Sequence, residues 1–287
     1  MPDATLFLLT LQNQPNTPFM ILTAKPSAFL SSYVKSYWMI ENNMPEGQEH
    51  TQRIVPTGLT ELSFYLGDKP RSSDHSKSFS EHSILTGQIK SHFDIRIAGR
   101  LSLFSVCFYP HGLAPLLDYP VKEIKNQSVP LSYLLGRAGK ELAEKLFYGA
   151  SFYQRISIME KYLHRRLSRQ RHIPDDPRVR YSIRLINESK GPIPIDQLAS
   201  WVCLGRKQFE RVFLNQVGIS PWQFYRIVRF QNALRMKARN QAASLTQVAY
   251  DCGYYDQSHM INEFIHLSGK SPGSYFNEGQ PHSDYFQ

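Results

Sequence analysis

Two groups of polar side chains at helical spacing have the donors and acceptors needed to recognise planar heterocycles. Arginine and lysine suit the paired acceptors of guanine, asparagine and glutamine suit adenine, glutamate accepts from cytosine, and an apolar side chain can meet the thymine methyl group. The residues are Arg206, Lys207, Glu210 and Arg211 in the first group, and Gln257, Ser258, His259 and Asn262 in the second. Their types predict contacts with the edges of nucleic acid bases.

The two groups occupy matching places in an internal repeat with a period of about 51 residues. With one extra residue in the second turn, IDQLASWVCLGRKQFERVFLNQVGISPWQFY (195–225) aligns with LTQVAYDCGYYDQSHMINEFIHLSGKSPGSYF (245–276). The matched pairs are Gln197 and Gln247, Ala199 and Ala249, Phe213 and Phe264, Gly218 and Gly269, and Ser220-Pro221 and Ser271-Pro272. Each copy therefore predicts the same supersecondary unit.

The pattern within each copy is typical of a helix-turn-helix. A small residue lets the first helix approach the second closely, and a tight turn follows at Cys203 or Gly253. Apolar residues four apart then define the buried side of the second helix, and the polar groups fall on its free side. These buried pairs are Phe209 with Phe213 and Met260 with Phe264. The alternative is a helical repeat with solvated polar faces, but the match between the two copies favours base reading.

Positive charge is concentrated in the same part of the chain. The net charge of the whole chain is +9, and residues 178–270 contain 13 Lys and Arg against 6 Asp and Glu. Such a balance favours an anionic partner. No apolar run reaches the roughly 18 residues of a membrane-spanning helix, so we expect nucleic acid rather than membrane as the partner, and a cytoplasmic location.

One long helix is predicted between the copies. PWQFYRIVRFQNALRMKARN (221–240) begins with a proline, which suits the first turn of a helix. A helix of about 17 residues is roughly 25 Å long, and such a strut can hold two units near one turn of B-DNA apart, about 34 Å. One chain would then read two successive major grooves.

Residues from about 178 to 276 resemble the DNA-binding module of AraC/XylS-type transcription regulators. The resemblance rests on the two matched alanines, Phe209 with Arg211 and Phe213, GISP (218–221), Arg229 with Ala233, and AYDCGYYDQSHMINEF followed by GKSP. The sequence departs from the family pattern at Cys203, Gly205 and Tyr254. Gly205 stands where a serine usually caps the recognition helix, a change that costs a few tenths of a kcal/mol.

This resemblance implies a sequence-specific transcription regulator, not an enzyme. Its implied partner is an operator in double-stranded DNA, read by the two groups of side chains described above. The resemblance also places Ile261 at the position equivalent to Glu210, where it can meet a thymine methyl group, and it implies phosphate contacts from Arg226, Lys270 and Ser271. RNA polymerase and a small-molecule effector are further candidate partners, and a homodimer is expected. No catalytic residue, metal or cofactor is implied.

The N-terminal half predicts a β-rich regulatory domain, which makes the whole chain α+β. Strand-like stretches are LFLLTL, YVKSYWMI, TELSFYL, SILTG, FDIRIAG and LSLFSVCFYP, and two helices follow at 131–149 and 151–169. We expect a barrel-like domain over 1–170, a linker at 171–177, and the DNA-binding domain over 178–287. The apolar side of 151–167 is broad enough to help form a dimer.

An effector pocket in the β-rich domain is a further expectation. Five aromatic residues are candidates to line it: Trp38, Phe64, Tyr65, Phe104 and Phe108. The same residues could instead fill the core of the domain.

The alternative function is a small-molecule-binding or metal-dependent, cupin-like enzyme with a structural helical module. His50, His82, His92 and His111 are its candidate ligands, but no two stand at the spacing that aims both imidazoles at one ion. The three cysteines, Cys107, Cys203 and Cys252, contain no C-x-x-C pair, so we expect buried thiols rather than a zinc site or disulfides.

Overall fold

The structure is a computed structural model that describes residues 20–72, 74, 79–169, 177–189 and 191–277. The strand predicted at LFLLTL and residues 171–176 of the predicted linker lie outside the described residues. Within them the chain is α+β, with the strands in the N-terminal half and helices throughout the C-terminal half.

The described strands form two antiparallel sheets. The six-stranded sheet has the order β1-β2-β8-β4-β6-β9, and the three-stranded sheet has the order β3-β7-β5. The strands are β1 Met20–Ala24, β2 Val34–Asn43, β3 Glu49–Ile54, β4 Thr60–Tyr65, β5 Arg71–Ser72, β6 Ser83–Thr86, β7 Phe93–Ala98, β8 Arg100–Phe108 and β9 Ser128–Pro130. Five of the six predicted strands are found, and β1, β3, β5 and β9 were not predicted.

The barrel-like closure expected from the sequence is not formed by the described strands. β7 and β8 follow each other directly, but Gly99, with φ +67°, turns the chain from one sheet into the other. β7 then pairs with β3 and β5, and β8 pairs with β2 and β4. The two sheets therefore face each other without sharing a paired edge in the described part of the chain.

Three helices cover one face of the six-stranded sheet: α1 Leu131–Leu135, α2 Arg137–Phe147 and α3 Phe152–Arg169. The single helix predicted at 131–149 is divided because Gly136 adopts φ +56° and ψ −132°, outside the helical region. The buried side of α3 packs on the sheet through Phe152, Met159, Leu163 and Leu167. Much of the apolar side that suggested a dimer interface is thus used inside the subunit.

Three of the five aromatic residues proposed to line a pocket instead fill this helix-covered core. Phe64, Phe104 and Phe108 are buried in it, whereas Trp38 and Tyr65 belong to a cluster on the opposite face of the sheet. Side chains alternate along a strand, which separates the two sets.

The described part of the C-terminal domain contains seven helices, and their order agrees with the repeat. They are α4 Pro177–Glu188, α5 Ile195–Trp201, α6 Arg206–Val217, α7 Pro221–Arg239, α8 Leu245–Asp251, α9 Gln257–Ser268 and α10 Pro272–Asn277. The first copy contributes α5 and α6, the second contributes α8 and α9, and α7 connects them. Ala199 and Ala249 are buried at the helix crossings, as predicted.

The helix ends explain why the two copies have similar boundaries. Ser220, Ser244 and Asp256 cap α7, α8 and α9 by accepting hydrogen bonds from backbone N–H groups, whereas Gly205 gives α6 no side-chain cap. Both second helices end at a glycine in the left-handed region, Gly218 or Gly269.

The turns inside the two units differ in their strain. Gly253 has φ +73° and Cys203 has φ +55° at the equivalent place. The left-handed region costs an L-residue roughly 1–2 kcal/mol, which glycine avoids. Contrary to the expectation of buried thiols, Cys203 is exposed, while Cys107 and Cys252 are buried as expected.

We predict that Cys203→Gly raises the free energy of unfolding by about 0.5–1 kcal/mol, because strain relief exceeds the added freedom of the unfolded chain. Gly253→Ala should lower it by about 1–2 kcal/mol. Urea unfolding measures both changes. Gly191→Ala is the control, because Gly191 has no positive φ and no atom near its added Cβ. A lower free energy of unfolding in Cys203→Gly, or a higher one in Gly253→Ala, would contradict the assignment of strain to this turn position.

Candidate nucleic-acid interface

The second helix of each unit, α6 or α9, buries one side and exposes the other. Phe209 and Phe213 on α6, and Met260 and Phe264 on α9, are buried as predicted. Of the proposed base-reading residues, six are exposed and three are half-buried. The exposed ones are Arg206, Lys207, Arg211, Ser258, His259 and Asn262, and the half-buried ones are Glu210, Gln257 and Ile261. Each helix thus presents its proposed set to solvent.

Short polar contacts hold some of these side chains in place. Arg206 donates to Asp196 of α5 at 3.1 Å and lies 3.6 Å from Glu210, one turn further along α6. In the second unit, Thr246 of α8 donates to Gln257 at 2.6 Å. In each unit a contact from the first helix therefore orients the start of the second.

A buried ion pair connects α7 to the second unit. Arg229 donates to both carboxylate oxygens of Glu263 at 2.7 Å, and the side chains are 3% and 4% exposed. Arg229 also donates to the carbonyl oxygen of Gly253 at 3.3 Å, and its guanidinium lies 4.0 Å from the ring centre of Tyr254. Burial alone would lower the pKa of Arg229, but hydrogen bonds and charge attraction from Glu263 raise it. The pair fixes α9 and its preceding turn on the connecting helix.

The three residues proposed for phosphate contact lie in different environments. Arg226 donates to Glu263 at 2.7 Å, so its guanidinium is partly committed within the domain. Ser271 accepts a hydrogen bond from the backbone of Ser274 at the start of α10. The charge of Lys270 reaches Asp94 of β7 and helps to lower the pKa of that carboxyl. Phosphate contact by these residues stays a prediction.

The N-terminal domain touches the C-terminal ends of both helices that carry the proposed base-reading residues. Gly218, which ends α6, packs against Val121 and Gln88. Gly269, which ends α9, packs so closely on His92 that an added Cβ would lie 2.3 Å from the imidazole. The two glycines are matched in the repeat, so one part of the N-terminal domain holds both units at equivalent places.

Polar contacts reinforce this junction between the domains. Arg53 of β3 makes two 2.8 Å hydrogen bonds to Asp94 and donates to the carbonyl oxygen of Ser268 at the end of α9. These hydrogen bonds from Arg53 hold the pKa of Asp94 below its usual range. Near the other unit, Lys125 donates to Gln223 of α7 at 2.9 Å. The proposed base-reading residues begin at the opposite, N-terminal ends of α6 and α9.

Several of these residues were missed from the sequence. The sequence did contain a signal for Glu263. It is an acidic residue three positions after Met260 and four before Leu267, and this spacing places it on the buried side of the helix. Arg53, Asp94 and His92 had none, because Arg53 meets Ser268 and His92 meets Gly269 on a distant part of the chain, and Asp94 lies 41 residues from its partner Arg53.

The histidines and cysteines considered for an enzyme are dispersed. His82 contacts the Tyr65 carbonyl, His111 the Ser32 carbonyl and His50 the Gln52 side chain. Within the described ranges, no group of three or more His, Cys, Asp or Glu residues is placed to hold a metal ion. Burial raises the pKa of Cys252 to about 11. None of the helices in the described part of the chain has the length and apolar character to cross a membrane.

We predict that Glu263→Ala lowers the free energy of unfolding by about 3–5 kcal/mol, because it leaves a buried arginine without its counterion. Glu210→Ala is the matched control, and should change stability by no more than about 1 kcal/mol, because its partner Arg206 is exposed. Denaturant unfolding of both variants measures the difference. Similar losses of unfolding free energy for both variants would show that the buried ion pair stabilises the domain no more than the exposed one does.

Two domain families match the chain. Residues 198–278 match a helix-turn-helix domain, and residues 22–130 match a domain of unknown function, DUF6597. The chain therefore carries a helix-turn-helix domain, C-terminal to a domain of unknown function.

Curated relatives are similar over part of the chain. An uncharacterized HTH-type transcriptional regulator of Haemophilus influenzae is 29% identical over 93 residues, 32% of this chain and 31% of the relative. The probable transcriptional regulator LumQ of Photobacterium leiognathi is 36% identical over 29% of this chain and 33% of its own length. GbdR of Pseudomonas aeruginosa is 26% identical over 54% of this chain and 42% of its own length. The chain thus spans about a third of the length of the first two relatives.

Solved structures give more distant likenesses. ToxT from Vibrio cholerae has 12% sequence identity and a TM-score of 0.41, with 80% of this chain and 96% of that chain covered. A probable AraC family transcriptional regulator from Rhodopseudomonas palustris has 22% identity and a TM-score of 0.33, with 37% and 100% covered.

Proposed function

We propose that this chain is a sequence-specific DNA-binding transcription regulator that acts in the cytoplasm and reads two successive major grooves with α6 and α9. The observation that carries the proposal is the matched pair of helices, each with a buried phenylalanine side and a polar side open to solvent. The repeat provides this arrangement in two copies. The positive charge of the domain adds an attraction to DNA phosphates that does not depend on the base sequence.

Within the proposed interface, three side chains contact bases and three others contact phosphates. Arg211 contacts guanine and Asn262 contacts adenine, each through two hydrogen bonds, and Ile261 meets a thymine methyl group. Arg211 and Asn262 occupy equivalent places, two residues before the buried Phe213 and Phe264. Arg226, Lys270 and Ser271 contribute phosphate contacts that position the domain without reading bases.

We expect Asn262→Ala to weaken operator binding by about 1–3 kcal/mol, and binding to a scrambled duplex much less, because the side chain carries no charge. A gel shift on genomic fragments first identifies the operator. Titration of wild type and variant against operator and scrambled duplex at two salt concentrations then measures the loss. Asn187→Ala is the control, since Asn187 is an exposed asparagine on α4, outside both units.

Equal losses on the operator and the scrambled duplex would show that Asn262 does not read bases. Absence of sequence-specific binding to any genomic fragment, with or without cell extract, would overturn the proposed function itself.

The proposal extends to the assembly of the regulator and its partners. We propose that the chain forms a homodimer, that the N-terminal domain responds to a small-molecule effector, and that the bound dimer contacts RNA polymerase. Support for the dimer comes from an exposed aromatic patch at the junction of α2 and α3. It consists of Phe147, Tyr148 and Tyr153, and the two tyrosines are 75% and 71% exposed.

We predict a concentration-dependent dimer in sedimentation equilibrium of the full chain. Tyr153→Glu should raise the dimer dissociation constant by at least about tenfold, because it places a charge in an aromatic contact. Tyr255→Glu, at an exposed tyrosine of the C-terminal domain, should leave the constant unchanged. A monomer at high micromolar concentration, or equal effects of the two variants, would count against this interface.

A further inference from the structure

A cavity lies beside the three-stranded sheet, at the place where the chain passes from β4 to β5. Its volume of about 470 Å³ falls within the range of pockets that hold small organic molecules. The lining combines an apolar part, Pro70 and Phe79, with a basic part, Lys69, Arg71 and Arg96. Such a lining suits a ligand that has an apolar group and a negative charge.

Arg71 and Arg96 stand directly opposite each other in the sheet. They are partners in the antiparallel pairing of β5 with β7. Side chains of directly opposed residues lie on the same face, and Arg96 is exposed whereas its neighbour Ile95 is buried, so both guanidinium groups belong to the outer face. Like charges in this arrangement destabilise a sheet. An anion between the two arginines would remove that repulsion.

No acidic side chain neutralises this pair within the part of the chain that the structure describes. Neither guanidinium group makes a hydrogen bond or an ion pair there. Two acids do line the cavity, Glu49 and Asp68. Asp68 accepts a 2.7 Å hydrogen bond from the backbone N–H of Arg100, and Glu49 stands opposite Ala98 in the sheet. Both arginines therefore keep their donors for a ligand.

The rest of the lining is held in place by contacts outside the cavity. Asp68 donates its backbone N–H to the carbonyl oxygen of Arg100 at 2.8 Å, which attaches the segment before β5 to β8. Lys69 donates to the carbonyl oxygen of Ser80 at 2.7 Å. The ring of Phe79 meets the ring of Tyr65 edge to face, with 5.8 Å between the ring centres. The cavity is thus formed before any ligand arrives.

We propose that this cavity binds a small organic dianion, with its anionic group between the guanidinium groups of Arg71 and Arg96 and its apolar part against Phe79 and Pro70. A guanidinium group presents its donors in a planar fork that matches carboxylate and phosphate oxygens. Two such forks match the two charges of a phosphate monoester or of a dicarboxylate. The carboxylates of Glu49 and Asp68 in the same lining disfavour a more highly charged polyanion such as DNA.

The site shares a strand with the junction between the domains. Arg96 is the next residue after Asp94 on the outer face of β7, and Asp94 pairs with Arg53, which donates to the carbonyl oxygen of Ser268 at the end of α9. A ligand on Arg96 therefore lies one outward position away from the contact with the DNA-binding domain. That the dianion is the effector rests on the proposed function, but its binding to the cavity does not.

Isothermal titration calorimetry of the full chain without DNA tests the proposal. The probes are phenyl phosphate and phthalate, at a pH of about 8, which is above the second pKa of a phosphate monoester, about 6. Inorganic phosphate lacks the apolar part, and phenol lacks the charge. We expect at least one of the two aromatic dianions to saturate one site per chain and to bind about tenfold more tightly than inorganic phosphate. Phenol should show no saturable binding.

The variants Arg71→Gln and Arg96→Gln should each weaken the binding of that dianion by about tenfold or more, because each removes a charged pair of donors. Arg100→Gln is the matched control. It removes the same charge at an exposed arginine that does not line the cavity, and should change the affinity by less than about twofold. Without ligand, Arg96→Gln should unfold at no lower a temperature than wild type, because it relieves the repulsion with Arg71.

Two results overturn the proposal. One is that neither aromatic dianion binds to the wild-type chain. The other is that Arg96→Gln and Arg100→Gln bind the dianion equally well. If no dianion binds, and Arg71→Gln and Arg96→Gln instead flatten the salt dependence of binding to a scrambled duplex, the two arginines contact DNA phosphates and not a small ligand. Operator binding is measured separately, so the absence of a dianion site leaves the proposed function standing.

Discussion

The buried ion pair between Arg229 and Glu263 is the interaction on which the geometry of the C-terminal domain depends. It joins the middle of α7 to the buried side of α9, and the same guanidinium reaches the carbonyl of Gly253 in the turn before α9. Two charges are taken out of water there, which is tolerable only because each satisfies the other in a bidentate contact. The pair therefore demands one position of α9 on α7, whereas apolar packing alone would allow several.

A second constraint comes from the N-terminal domain, which packs on the glycine that ends α6 and the glycine that ends α9. Gly218 and Gly269 have no side chain to keep Val121 and His92 at a distance, so the domain approaches both units at equivalent points. Arg53 adds a polar contact by donating to the carbonyl of Ser268. The N-terminal domain therefore contacts α6 and α9 at their C-terminal ends, and the polar sides of both helices stay open to solvent.

The alternation of side chains along the strands gives the N-terminal domain two interiors with different properties. The face under the helices is filled with large apolar side chains such as Phe64 and Phe104, and it supplies stability. The face toward the second sheet holds serines, Trp38 and Glu61 at one end and a smaller apolar cluster with Ile40 and Leu103 at the other. Five aromatic residues that looked alike in the sequence divide between these two faces, because their positions in the strands differ in parity.

The sequence by itself determined the repeat, the helices of both units and the sides that they expose, because a helical period of 3.6 residues is a local property that apolar spacing reports. It also predicted most of the central strands. It could not determine that Glu263 meets Arg229, that Gly269 meets His92, or that Glu61 lies beside Ser105. It also missed the break at Gly136 and the separation of the sheets at Gly99. Those features depend on which distant segments become neighbours, and only the strand order and the packing of the two domains decide that.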